Sequence, residues 1–172
     1  SVPLWFIPRS TNPHPSLPMS ENNFPKLHNA MWPGLVGKGS PGAEPFIDLD
    51  TMLDLTAKAD VGGVKFDGVD LFLYNPHTDI DISDDGIKAL AAKIKAKGFV
   101  VASVVAPVWF DAAAGGDEKA RANWVTHVRK AIRIAKKLRE LGVRPYGVVR
   151  IDSATSVTAW DKDPKGTTKL IA

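Results

Sequence analysis

Apolar residues in this chain fall into two kinds of stretch: short runs in which nearly every position is hydrophobic, and longer ones in which hydrophobic positions recur every three or four residues. From residue 26 the two kinds alternate, and that alternation predicts four βα units around a parallel sheet. The first unit has a strand over 26–31, a Gly/Pro-rich loop over 33–45, and a helix over 48–59 with Asp48 as its N-cap. Leu49, Met52, Leu53 and Thr56 share one face of that helix, and Gly62 and Gly63 are expected to stop it. The second unit pairs a Val-, Phe-, Leu- and Tyr-rich strand over 64–74 with a helix capped by Ser83. Asp84 and Asp85 open this helix, Ile87, Leu90, Ala91 and Ile94 follow at helical spacing, and Gly98 ends it.

The third strand, over 99–106, is apolar at every position but Ser103, so both its faces need cover. A long helix over 117–141 follows, burying Trp124, Val128, Ala131, Ala135 and Leu138 before Gly142 closes it. The fourth strand spans 146–152, and 164–172 reads as the opening turns of a further helix. Four βα units are about half of an eight-unit barrel, which takes roughly 250 residues. The expected fold is therefore α/β, with parallel (βα) repeats forming about half of a TIM barrel that is truncated after the fourth strand. A small doubly wound sheet uses the same local pattern and remains open. Left open, the four-stranded sheet would expose two edges and one unclosed face, so the fragment is expected to be aggregation-prone, dimeric as a homo-oligomer, or stable only in its parent.

Composition changes this picture mainly by exclusion. Residues 1–18 hold Pro3, Pro8, Pro13, Pro15 and Pro18 without any period, so residues 1–23 are expected to be a disordered Pro-rich extension and 24–172 the partial (β/α) barrel domain. The absence of cysteine removes disulfides, thiolate metal sites and cysteine nucleophiles. The N-terminal apolar run, residues 4–7, is too short for a signal segment or a membrane span, and a cytoplasmic protein without a membrane partner is expected. A net charge of +3 is too weak to select nucleic acid.

The run Phe66-Asp67-Gly68-Val69-Asp70-Leu71-Phe72 resembles the F-D-G-V-E-L second strand of the xylose isomerase-like barrel superfamily, with Asp70 where glutamate is more usual. The superfamily contains sugar and sugar-phosphate isomerases and epimerases and the type IV apurinic endonucleases. The resemblance covers about residues 24–172: a short first strand ending at His28-Asn29, a helix, this motif, a Ser-Asp-Asp-Gly-Ile-Lys-Ala-Leu helix, then a strand and a long helix. It implies the N-terminal part of a metal-dependent sugar or sugar-phosphate isomerase or epimerase, inactive as this chain alone. A divalent metal (Mn, Mg, Co or Zn) would sit on carboxylates and a histidine of later strands, and none of those ligands is assignable here. Two alternatives stand beside it, a non-catalytic carbohydrate-binding or regulatory barrel module and a type IV-like apurinic endonuclease.

Barrel sites are built at the C-terminal ends of the strands. There His28 and Trp32 can stack on a sugar ring and bond its hydroxyls, or Trp32 can simply pack the first loop. Asp70, inside a buried strand, needs a partner, either a ligand or site group or a structural ion pair. His77 lies in a loop facing the expected site, or is a solvated turn residue. Trp109, beside Phe110, forms a stacking wall or a plug over the core. Arg150 and Asp152, two apart, project to one side and either bind an anionic or polyhydroxy ligand or pair with each other. Arg129, Lys130, Arg133, Lys136 and Lys137 line the polar face of the long helix, as on any exposed crossover helix. The expected partner is a small sugar or sugar phosphate rather than nucleic acid.

Overall fold

The computed structural model describes residues 27–31, 47–108, 117–145, 148–151 and 161–171. The Pro-rich extension, Trp32, Trp109 and Asp152 lie outside the described residues. Along the chain run β1 (His28–Met31), α1 (Leu49–Lys58), β2 (Asp60–Val61), β3 (Val64–Lys65), β4 (Gly68–Phe72), α2 (Asp84–Ala96), β5 (Val100–Val105), α3 (Glu118–Glu140), β6 (Val148–Arg150) and α4 (Pro164–Ile171). Strands β1, β4, β5 and β6 form one sheet in that order, and each neighbouring pair is parallel. The chain is thus α/β with a four-stranded parallel sheet. Among the described residues the sheet is open, with β1 and β6 as its edges.

Each helix begins where a short polar side chain takes an otherwise unsatisfied amide. Asp48 accepts from Thr51 N at 2.8 Å, Ser83 from Gly86 N at 3.1 Å, and Asp117 from Ala120 N at 2.8 Å. The Gly pair at 62–63 does something other than end α1, which closes earlier, at Lys58 with Ala59 as C-cap. Gly62 and Gly63 take φ of 63° and 87° and turn the chain between β2 and β3, which pair antiparallel. Two consecutive positive-φ residues are what the tightest hairpin turn demands. The strand expected over 64–74 is therefore split, and its sheet-forming part starts only at Gly68.

One continuous core explains the layering. Val69 and Leu71 of β4, Leu73 just beyond it, and Val101 and Val104 of β5 pack with Leu49, Met52 and Leu53 of α1, Ile87, Leu90 and Ile94 of α2, and Ala131, Ile134, Ala135 and Leu138 of α3. Because side chains alternate along a strand, this places α1, α2 and α3 on the same face of the sheet. A doubly wound sheet carries its crossover helices on both faces. In α3 the buried stripe sits further along than expected: Ile134 is fully enclosed, while Trp124 and Val128 are only partly buried. Asn29, between the sheet and α1, gives its amide to Thr56 Oγ1 at 2.7 Å and so docks the helix.

Ion pairs lace the outer surface of the helices in the same order as the strands beneath. Lys93 meets Asp50 at 2.8 Å and Lys97 meets Asp54, joining α2 to α1; Arg133 and Lys137 meet Asp84 at 2.7 and 3.2 Å, joining α3 to α2. The Lys97 hydrogen bond and charge hold the Asp54 carboxyl below its ordinary value, and the Thr51 amide does the same for Asp48. A carboxyl depressed in the folded state stabilises it above the unfolded value and loses that effect as pH falls through the folded one. Helicity followed by circular dichroism should thus hold from neutral pH to the ordinary 3.8, then decline. Added salt should weaken the Lys97 part only.

Candidate functional site

The face of the sheet turned away from the helices carries the polar groups. Strand alternation places Gly68, Asp70 and Phe72 of β4, Val105 of β5, and Val148 and Arg150 of β6 there. Register aligns Phe72, Val105 and Arg150 in a single row at the C-terminal end of the sheet. Phe72 and Val105 are 3% and 1% exposed, an apolar floor. Over it the Arg150 guanidinium reaches back across Val105, its central carbon 5.9 Å from the Phe72 ring centre. That is a cation–π distance, which holds a planar five-donor group along the rim.

Asp70 stands one step below, and its setting is a β-bulge. Val69 pairs with Val101 but Leu71 with Val104, so β5 spends one more residue than β4 between the two matches. The amide of Ser103 is left out of the regular ladder and donates to Asp70 Oδ1 at 3.1 Å. A backbone amide, not an ion pair, is thus what compensates this half-buried carboxylate. Among the described residues Oδ2 takes no hydrogen bond, and as an acceptor it suits a ligand hydroxyl.

His28 is placed differently from the expectation. It opens β1 instead of ending it, opposite Gly68 at the start of β4, and so lies three residues, about 10 Å at 3.3 Å per residue, from the C-terminal rim. Its ring covers Gly68: a Cβ there would lie 3.1 Å from His28 Cδ2 and Nε2, and would collide with the Val100 carbonyl oxygen. Next to it, Asp67 accepts the Leu27 amide at 3.3 Å and gives its own amide to Leu27 O at 2.8 Å, pinning the start of β1. Gly68→Ala is expected to cost about 1–3 kcal/mol, since the obstructing atom is backbone and cannot rotate away. Chemical denaturation measures it, and an unchanged midpoint would refute the close approach.

His77 is not solvated. It is 5% exposed, and its Nε2 lies 2.8 Å from the Ile47 carbonyl, to which it donates. Within the loop, the His77 and Thr78 amides both donate to Tyr74 O. The imidazole thus ties the loop after β4 to the residue preceding the Asp48 cap of α1. His77→Ala should lower stability by about 1–3 kcal/mol, the cost of leaving a buried carbonyl unmet. Thermal melts with and without ligand check this, and a variant that loses affinity at full stability would make His77 a ligand contact.

Three of the five cations on the basic face of α3 meet acids. Lys130 meets Asp81, Arg133 meets Asp84 and the Ile82 carbonyl, and Lys137 meets Asp84. Asp84 opens α2 and Asp81 lies in the loop just before it, so these cations serve the packing of α3 on α2 before any external partner. Among the described residues no three His, Asp or Glu side chains gather as a metal ion requires, and no helix is long and apolar enough to cross a membrane. Neither a protein-family model nor a curated protein matches the chain.

Of the residues expected at the site, the structure brings Asp70 and Arg150 to one face and leaves His28 at the far end and His77 in a tie between loops. Reasoning from sequence passed over Phe72, the floor under Arg150, and Asp67 and Gly68, which build the strand start. The available signal was alternation: Asp70 and Phe72 are two apart, hence on one face.

Proposed function

We propose that this chain forms the sugar-facing part of a (β/α) barrel, the N-terminal half of a metal-dependent sugar or sugar-phosphate isomerase or epimerase acting in the cytoplasm. What carries the reading is the layering: four parallel strands in chain order, with α1, α2 and α3 on one side and Asp70, Phe72 and Arg150 on the other. In a barrel that second side is the interior, and its C-terminal end is where ligands bind. Arg150 supplies donors for a phosphate or hydroxyl oxygens and Asp70 accepts from a hydroxyl, with buried Phe72 supporting the Arg150 guanidinium from beneath.

The divalent metal belongs to the same proposal, but the described residues do not gather the ligands it requires. Binding, rather than turnover, is accordingly the first readout. Calorimetric titration with a panel of aldoses, ketoses and their phosphates, in the presence of Mn²⁺ or Co²⁺, should give saturable binding that is stronger for phosphates. Binding or cleavage of abasic DNA, with no response to any sugar, would reject the reading. The open edges at β1 and β6, with Val148 and Ile151 exposed beside the latter, also lead the proposal to a homo-oligomer.

A further inference from the structure

At the opposite end of β6 from Arg150, a cleft of about 470 Å³ lies between the flank of α3 and the entry to the strand. Ile132, Ala135, Lys136 and Arg139 of α3 line one side at helical spacing, with Arg144 and Val149 on the other. Arg144 is 5% exposed. Its terminal nitrogens donate to two neutral carbonyls, Val148 O at 2.7 Å and Ala135 O at 3.4 Å, while its buried Nε has no partner among the described residues. Burial pushes the guanidinium down from its ordinary value, and the nearby charge of Arg139 adds repulsion where a buried cation normally finds a carboxylate.

Five cations in the second half of α3 fall into two sets. Lys130, Arg133 and Lys137 meet Asp81 and Asp84 at and just before the start of α2; Lys136 and Arg139 have no ion pair among the described residues and line the cleft with Arg144. Glu140, the adjacent acid, is within 3.9 Å of Lys137. Three positive side chains thus border a space with room for several heavy atoms, and one of them is dehydrated with a donor unused. We propose that this cleft is an anion site for a phosphate group, gripped by the hydrogens left on the terminal nitrogens of Arg144, with Lys136 and Arg139 closing over it.

A phosphate suits the arrangement better than a carboxylate. Its tetrahedral oxygens meet the guanidinium fork with two and leave others for cations on the facing helix. The apolar residues Ile132, Ala135 and Val149 keep the contact partly dry, which strengthens it. The cleft shares no residue with the Phe72–Val105–Arg150 row, so this site stands or falls separately from the sugar reading.

Titration calorimetry with inorganic phosphate at low ionic strength, against chloride of matched ionic strength, tests the site. The expected result is saturable one-site binding, weakened about tenfold or more in Lys136→Gln/Arg139→Gln, two exposed helix positions whose replacement leaves the circular dichroism spectrum intact. A parallel titration with glycerol phosphate separates a free ion from a phosphate ester: whichever binds tighter names the natural source. Heats indistinguishable from chloride, or a double variant with undiminished affinity, would overturn the proposal.

Discussion

Leu71→Ala should remove about 2–5 kcal/mol of stability. Leu71 is fully enclosed, sits mid-strand in β4, and belongs to the cluster that joins the sheet to α1, α2 and α3. Removing three carbons there loses their transfer energy and leaves a cavity that the neighbouring Val104 cannot fill, because β-branched side chains in strands have little rotamer freedom. Urea denaturation reads the loss directly as a fall in midpoint at unchanged slope. The adjacent Phe72, on the other face, is a useful comparison, since its truncation should disturb Arg150 without loosening the helices. A Leu71→Ala protein as stable as the parent would mean that the helices do not share the face assigned to them.

Arg150→Ala is expected to act in the opposite way, with little change in thermal midpoint and a fall of about 10- to 100-fold in affinity for a sugar phosphate. The stability part is small because a cation–π contact at an exposed position contributes about 0.5–1 kcal/mol. The binding part is larger, since a charged hydrogen bond to a ligand contributes about 1.5–3 kcal/mol. Paired melts and titrations separate the two. A marked loss of stability at unchanged affinity would make Arg150 a structural residue and remove it from the proposed site.

Much of this arrangement can be read from residues alone, and where reading fails the reason is physical. The caps Asp48, Ser83 and Asp117 and the helices behind them follow from local chemistry, since a side-chain oxygen needs only the amide three residues on. The parallel direction of the strands follows from alternating runs and crossover helices. By contrast, Gly62-Gly63 reads as a helix stop because a glycine pair has the same composition whether it ends a helix or turns a hairpin, and only pairing decides between them.

The motif from Phe66 to Phe72 shows the limit most clearly. Asp67 holds the start of β1, Gly68 clears a carbonyl and the His28 ring, Asp70 fills the bulge, and Val69 and Leu71 enter the core. Each of these roles depends on residues some 30 to 40 positions away, whose register no local pattern contains. The bulge also explains why Asp70 looks like a group in need of an ion pair: its partner is the Ser103 amide, present only because β5 has a residue to spare. Arg144 is likewise silent in the sequence, one basic residue among 22, until folding buries it.

The claim on which all this rests is that ligand meets the face of the sheet opposite the helices. Amide shifts in a ¹⁵N-labelled protein, recorded while a sugar phosphate is added, test it most directly. Saturable shifts are expected at Asp70, Phe72, Val105 and Arg150, with Leu53, Ile94 and Leu138 unmoved. Shifts gathered on the helical layer, with those four residues unchanged, would contradict it.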